Sequence, residues 1–239
     1  MNPTNQADID FQSALEALLT DEKEIQESYL LQFSDMVPSE LKSLLDAWPR
    51  IPLSRKLLLL DQLNALADVN TLVSFDDLGI ALLADSDAPV RQRAVRLLIE
   101  CEEERLIPTY LDMLANDTET TVRAETATTL GLFVLLGEFE EISAESQKLV
   151  VDALMAAANA DENEPNIRRR ALESLGFSSR MEVPTLIQSA FNRENPDWKA
   201  SALFAMGQSQ FFLQISQKVD HLGLDRHVQC RYGLITNNQ

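Results

Sequence analysis

The sequence predicts an all-α protein, a right-handed superhelix of about four to five stacked helical hairpins behind an N-terminal helical cap. Three observations carry that expectation. A short phrase returns in a fixed frame: an anchor followed by Arg or Lys, a mostly small residue four places on, a large apolar residue after eight and usually Gly after nine. It reads Val90-Arg91 with Ala94 and Leu98; Val122-Arg123 with Thr126, Leu130 and Gly131; Ile167-Arg168 with Ala171, Leu175 and Gly176; and Trp198-Lys199 with Ala202, Met206 and Gly207. The anchors lie 32, 45 and 31 residues apart, and a period of roughly 20–50 residues marks a chain that stacks one supersecondary unit on the next. Composition agrees, since only 7 Gly and 3 Tyr occur among 239 residues and long Leu/Ala-rich stretches replace the alternation of a strand. Each anchor also follows a turn rich in Asp and Asn: Asp85-Ser86-Asp87, Asn116-Asp117, Asp161-Glu162-Asn163 and Asn195-Pro196-Asp197. Such side chains cap a following helix and tolerate a tight corner.

Residues 1–48 form the expected cap. Phe11, Leu15, Leu18 and Leu19 mark one apolar stripe, Asp21 with Glu24 makes a capping box ahead of Ile25, Tyr29, Leu30 and Phe33, and a third helix follows Pro38 with Leu41, Leu44, Leu45 and Trp48 inward. The acidic residues Asp8, Asp10, Glu16, Glu24 and Glu27 supply the polar outer face that an end repeat needs. Residues 49–207 form the repeats. Leu57, Leu60, Leu63 and Leu66 stripe an early, degenerate helix over 53–67, and Ser74 with Asp77 opens another that ends near Ala84. Ile107-Pro108-Thr109 and Val183-Pro184-Thr185 each precede an anchor by 15 residues, which fixes two helices per repeat in phase, with proline in the first turn. The longer interval between Val122 and Ile167 predicts an acidic loop around 137–145 carrying Phe139 and Ile142. Residues 208–239 read as a degenerate or truncated final repeat: Leu213 and Val228 keep the phase, but a last helix over 228–235 is too short to cover its neighbour well.

These motifs resemble HEAT repeats, of the phycobilisome-lyase-type subclass common in bacterial proteins, and so imply a HEAT/armadillo-like solenoid over about residues 49–207. The resemblance further implies a structural ladder along the solenoid in which Arg91, Arg123, Arg168 and Lys199 meet Asp87, Asp117, Asp161 and Asp197. It also brings in bilin attachment, since lyases gave the subclass its name.

A net charge of −18, of which −8 falls in 1–48, −11 in 49–207 and +1 in 208–239, repels phosphate backbones and acidic membranes while favouring basic partners. Nucleic acid is therefore not an expected partner. The N-terminus lacks a basic start and an apolar run, and no stretch approaches the ~18 apolar residues of a membrane span, so a cytoplasmic protein with no membrane association is expected. Cys101 and Cys230 lie far apart without metal-ligand spacing and read as buried thiols. His221, His227 and Cys230 offer too few ligands for a closed zinc site. There is no His-Glu dipeptide of the kind used by HEAT-repeat iron hydroxylases, no phosphate loop and no nucleophile elbow. No cofactor, no metal and no enzymatic activity are expected.

Second helices of stacked hairpins line a concave surface, where the outward positions are two, three and six after the anchor. They read Gln92, Arg93 and Arg96; Ala124, Glu125 and Thr128; Arg169, Arg170 and Glu173; Ala200, Ser201 and Phe204. Four arginines in an otherwise acidic chain predict a non-enzymatic scaffold that binds a protein partner through Arg93, Arg96, Arg169 and Arg170, with Phe204 as an apolar anchor. The alternative expectation is a bilin lyase or lyase-associated protein. A HEAT-like DNA glycosylase is a third, opposed by the charge. Self-association through the open C-terminal end is a further possible contact.

Overall fold

The computed structural model describes residues 10–20 and 25–222, with side chains described through residue 209 save residue 20. Twelve α-helices and no strand occupy the described residues, the all-α arrangement that the repeated phrase predicts. They group into two compact units, within residues 1–101 and 102–239. The Asp21–Glu24 capping box, His227, Cys230 and the segment 228–235 lie outside the described residues.

In the first unit, α1 (Phe11–Thr20), α2 (Glu27–Leu30) and α3 (Pro38–Ala47) precede α4 (Leu53–Ala67), α5 (Asp76–Leu82) and α6 (Ala88–Leu97). The apolar stripes land where their spacing puts them. Phe11, Leu15, Leu18, Leu44 and Trp48 are buried, and the Phe11 ring meets Phe33 edge-on at 6.0 Å. Helix α4 is the pivot, packing on both α2 and α6. Its Arg55 donates to the Ala17 carbonyl in α1 at 3.2 Å, and its Gln62 clasps Ile25 from both sides, accepting from the amide and donating to the carbonyl. Trp48 donates its indole N–H to Asp85 at 2.7 Å, and Lys56 sits 5.2 Å over the same ring, so a buried tryptophan has both its polar edge and its face satisfied.

The second unit holds three hairpins: α7 (Ile107–Asn116) with α8 (Thr120–Glu138), α9 (Ala144–Asn159) with α10 (Pro165–Leu175), and α11 (Val183–Phe191) with α12 (Pro196–Leu222). Helices α7 and α11 begin at the Ile-Pro-Thr and Val-Pro-Thr phrases. The second helices α8, α10 and α12 pack side by side, while α7 lies against α9 in the other layer. The recurring positions are equivalent in both units: Val90, Val122, Ile167, Ala94, Thr126, Ala171, Ala202, Leu98, Leu130 and Leu175 are all fully buried. Small residues set the spacing of the second helices. A Cβ on Gly176 would sit 2.7 Å from both the Cα and the carbonyl oxygen of Ala205, and one on Gly131 would sit 2.9 Å from Ser174 Oγ. Ser174 in turn donates to the Ala127 carbonyl at 2.8 Å, which stitches α10 to α8 through a buried hydroxyl.

Between hairpins, carboxylates clip the next turn. Glu104 accepts the Ser143 amide at 3.1 Å at the start of α9, and hydrogen bonds from Ser143 and Ser146 hold its carboxyl below the usual glutamate value. Glu138 accepts the Ser179 amide at 2.8 Å, and Asp152 takes both Lys148 and Arg180.

Two expectations are corrected here. The extra residues between Val122 and Ile167 do not project as an acidic loop; they extend α8 to 19 residues and α9 to 16. The run Leu130–Leu136 contains no breaker strong enough to stop a helix whose apolar side chains are buried, and Phe139 and Ile142 tuck inward at 9% and 8% exposure. The glycine at the ninth position has no single place in the helices: α8 and α12 run straight through Gly131 and Gly207, and α10 stops at Gly176. Leu213 does not start a fresh hairpin, because α12 continues unbroken to Leu222.

Gly176 has ordinary right-handed helical angles, so Gly176→Ala is decided by space, and the backbone of α12 cannot yield as a flexible side chain would. Urea unfolding should show a loss of about 1–3 kcal/mol despite the gain in helix propensity. A second expectation concerns acid. Hydrogen bonds from Lys148 and then Arg180 hold Asp152 below the ordinary aspartate value of 3.8, so its contribution to stability is present above about pH 4 and is lost as pH falls through the folded value. Arg180→Gln should raise the Asp152 midpoint in a carboxyl NMR titration towards 3.8.

Candidate functional site

The outward row on the second helices is assembled from polar side chains that bridge neighbouring helices. In the first unit, Arg93 on α6 forks onto Asp61 of α4, Nε to Oδ1 at 2.6 Å and Nη2 to Oδ2 at 3.2 Å, and also donates to the Pro89 carbonyl. Arg96 stands 3.5 Å from Asp68. Both arginines therefore face a carboxylate one helix away, which neutralises the local potential expected of a basic groove.

In the second unit the row is denser. Arg170 of α10 pairs with Glu173 at 2.6 Å across one helical turn. The other oxygen of Glu173 accepts the Ser201 hydroxyl of α12 at 2.5 Å. Ser201 is buried and the Glu173 side chain nearly so. Arg169 meets neutral oxygens, Asn166 Oδ1 at 3.3 Å and Ser201 Oγ at 3.5 Å. One turn beyond Ser201, Phe204 is 46% exposed beside Leu203 at 56%. Arg169, Arg170 and Phe204 thus belong to this face of the second unit, whereas Arg93 and Arg96 belong to the first.

The anchor-linked basic residues do different work. Arg91 donates to the Asp85 carbonyl at 2.8 Å. Arg123 donates to the Leu114 carbonyl at 2.8 Å and to Asn163 Oδ1, one hairpin on, at 2.6 Å. Arg168 donates to the Ala158 carbonyl at 3.1 Å and pairs with Asp161 at 2.9 Å. Arg123 and Arg168 thereby close carbonyls left open in the last turn of the preceding helix, where a cation also suits the helix dipole, and Arg91 reaches the turn just past α5. Lys199 is exposed. Asp87 lies 3.8 Å from Lys56, Asp117 accepts the Glu119 amide at 2.9 Å, and Asp197 is exposed, its amide capped by Asn195. Trp198, 8% exposed, is stacked by Arg193 at 3.8 Å and Arg168 at 5.5 Å. A ring held that way is a packing element and does not offer a face to an extruded base.

Asp61, Asp68 and Ser201 were the residues that pattern reasoning passed over as bridging groups. For two of them the signal is spacing: Asp61 lies 32 residues before Arg93 and Ser201 lies 32 after Arg169, close to the two shorter anchor intervals, while Asp68 lies 28 before Arg96. Among the described residues no group of three or more His, Cys, Asp or Glu is arranged to hold a metal ion, and no helix is long and apolar enough to cross a membrane. Cys101 is buried.

No protein-family model matches the chain, and no curated protein matches it. Among solved structures it is similar to the complex of CpcE and CpcF of phycocyanin lyase from Nostoc sp. PCC7120, with a TM-score of 0.51, 16% identity, and coverage of 70% of this chain and 98% of that one. The shared feature is the HEAT-like helical fold. The expectation of a non-enzymatic chain does not survive this comparison. It rests on the lack of a catalytic constellation, and a lyase complex uses the same helical architecture, so that lack is no argument against a part in catalysis.

Ser201→Ala removes the donor to a largely buried carboxylate. The expected loss is about 1–3 kcal/mol in urea unfolding, with the far-UV helical signal unchanged.

Proposed function

We propose that this chain is a lyase-associated helical-repeat subunit, which works with a second protein on a linear tetrapyrrole. The observation that supports the reading is the structural likeness to a two-protein phycocyanin lyase complex, which takes in 98% of that chain. The chemistry of the α10–α12 face agrees with it. A tetrapyrrole is a flat apolar body with carboxylate arms, and this face has Arg169 against Ser201 of α12, with exposed Phe204 one turn beyond that serine. Attachment of such a ligand to protein joins it to a nucleophilic side chain. Among the described residues the one cysteine, Cys101, is buried, and in this reading the chain holds or presents the ligand to its partner. The face of the second unit with Arg169, Arg170 and Phe204 is the surface proposed to meet the ligand, and the α6 face of the first unit with Arg93 and Arg96 is proposed separately as a contact for the partner.

Mixing the chain with biliverdin at tens of micromolar should shift and sharpen its long-wavelength absorbance as the flexible chromophore is held in one conformation. A spectrum that is the sum of the separate components would discard the reading.

A further inference from the structure

Three of the four arginines on the outward row are occupied by carboxylates, and one is not so engaged. Arg93 faces Asp61, Arg96 faces Asp68 and Arg170 faces Glu173. Arg169 makes two long contacts to neutral oxygens. The carboxylate one turn along the same helix, Glu173, has its Oε2 on Arg170 and its Oε1 on the Ser201 hydroxyl. Ser201 donates its hydroxyl hydrogen bond to Glu173 and offers Arg169 only a lone pair. A carboxylate arriving at Arg169 therefore gains a charge-assisted, two-pronged contact and displaces only two weak ones. The surroundings select what that carboxylate is attached to. Ala200 and Phe204 are exposed on α12, four residues apart and so one above the other on the helix surface, and both flank Ser201. The shelf beside the cation is thus a small residue followed by an aromatic ring.

We propose that Arg169, with the Ala200–Phe204 face of α12, forms a surface subsite for one propionate carboxylate of a linear tetrapyrrole, whose adjoining pyrrole ring lies against Phe204. This rests on the function proposed above and adds the residue that recognises the ligand. Arg170 and Glu173 are positioning residues: they keep the Ser201 proton and the nearby negative charge committed, so that Arg169 stays available. The protein's own charge of −18 disfavours a dianionic ligand at long range, so a preference for the acid over a neutral analogue must come from a local cation.

The test is an absorbance titration of the full chain with biliverdin and with its dimethyl ester. The wild type should bind the acid about ten-fold more tightly than the ester. Arg169→Gln should bind both alike, at the wild type's affinity for the ester, whereas Phe204→Ala should weaken both by a similar factor, about five-fold. Arg169→Lys should keep part of the preference for the acid. Equal binding of acid and ester by the wild type, or an intact ten-fold preference in Arg169→Gln, overturns the subsite while the proposed function stands. No binding of either compound by the wild type removes the proposed function and the subsite together. The ester arm uses unaltered protein, so the outcome does not depend on any variant folding.

Discussion

The close approach of successive second helices is the constraint on which the second unit depends. Gly176 lies so near the Ala205 backbone that even a methyl group has no place, and Gly131 meets Ser174 in the same way one step earlier. At such distances apolar packing alone leaves little to fix the sliding of one helix along another, and the buried Ser174 hydroxyl supplies the register by bonding to the α8 backbone. The outward row exists because of this. Side chains on neighbouring second helices are brought near enough for Ser201 of α12 to reach Glu173 of α10, and a wider spacing would leave each of those groups to solvent.

The ties to turns and helix ends keep a different interval. Gln62 to Ile25 and Trp48 to Asp85 each span 37 residues, Arg55 to Ala17 spans 38, Glu104 to Ser143 spans 39, Arg123 to Asn163 spans 40 and Glu138 to Ser179 spans 41. Bridges between second helices range more widely, from 28 for Arg96 to Asp68 up to 47 for Ser174 to Ala127. The uneven anchor intervals are thus absorbed by helix length, as in α8 and α9, while the turns keep nearly constant step.

Much of this was legible in the pattern, and the parts that were not share a cause. The anchor, its small fourth neighbour and its large eighth neighbour are read correctly because burial at Val122, Thr126 and Leu130 leaves a compositional trace that needs no partner to interpret. Glycine at the ninth place is ambiguous in the sequence, because it stands where α10 ends at Gly176 and inside α8 at Gly131, and at both positions it is the neighbouring helix that leaves no room for a Cβ. The site was half legible. The arginines stand out by type, but whether Arg93 or Arg96 is engaged depends on a carboxylate about thirty residues away, on Asp61 within α4 and Asp68 just past its end, where the repeated phrase is not written. The difference between Arg169 and Arg170, adjacent in the chain, is invisible without the position of Ser201. The non-enzymatic expectation failed for a related reason: it took a surface of polar bridges to be inert because no catalytic motif was written in it.

The chain has two tryptophans, and the fold assigns one to each unit. Trp48 lies under Lys56 with its indole N–H on Asp85, and Trp198 lies under Arg193 and Arg168. Each indole is held in a charged, largely buried setting that unfolding of its own unit would dismantle, so the emission of the two rings makes the halves of the molecule optically separable. Replacing either tryptophan with phenylalanine turns the other into a private reporter of local cooperativity, with no external label.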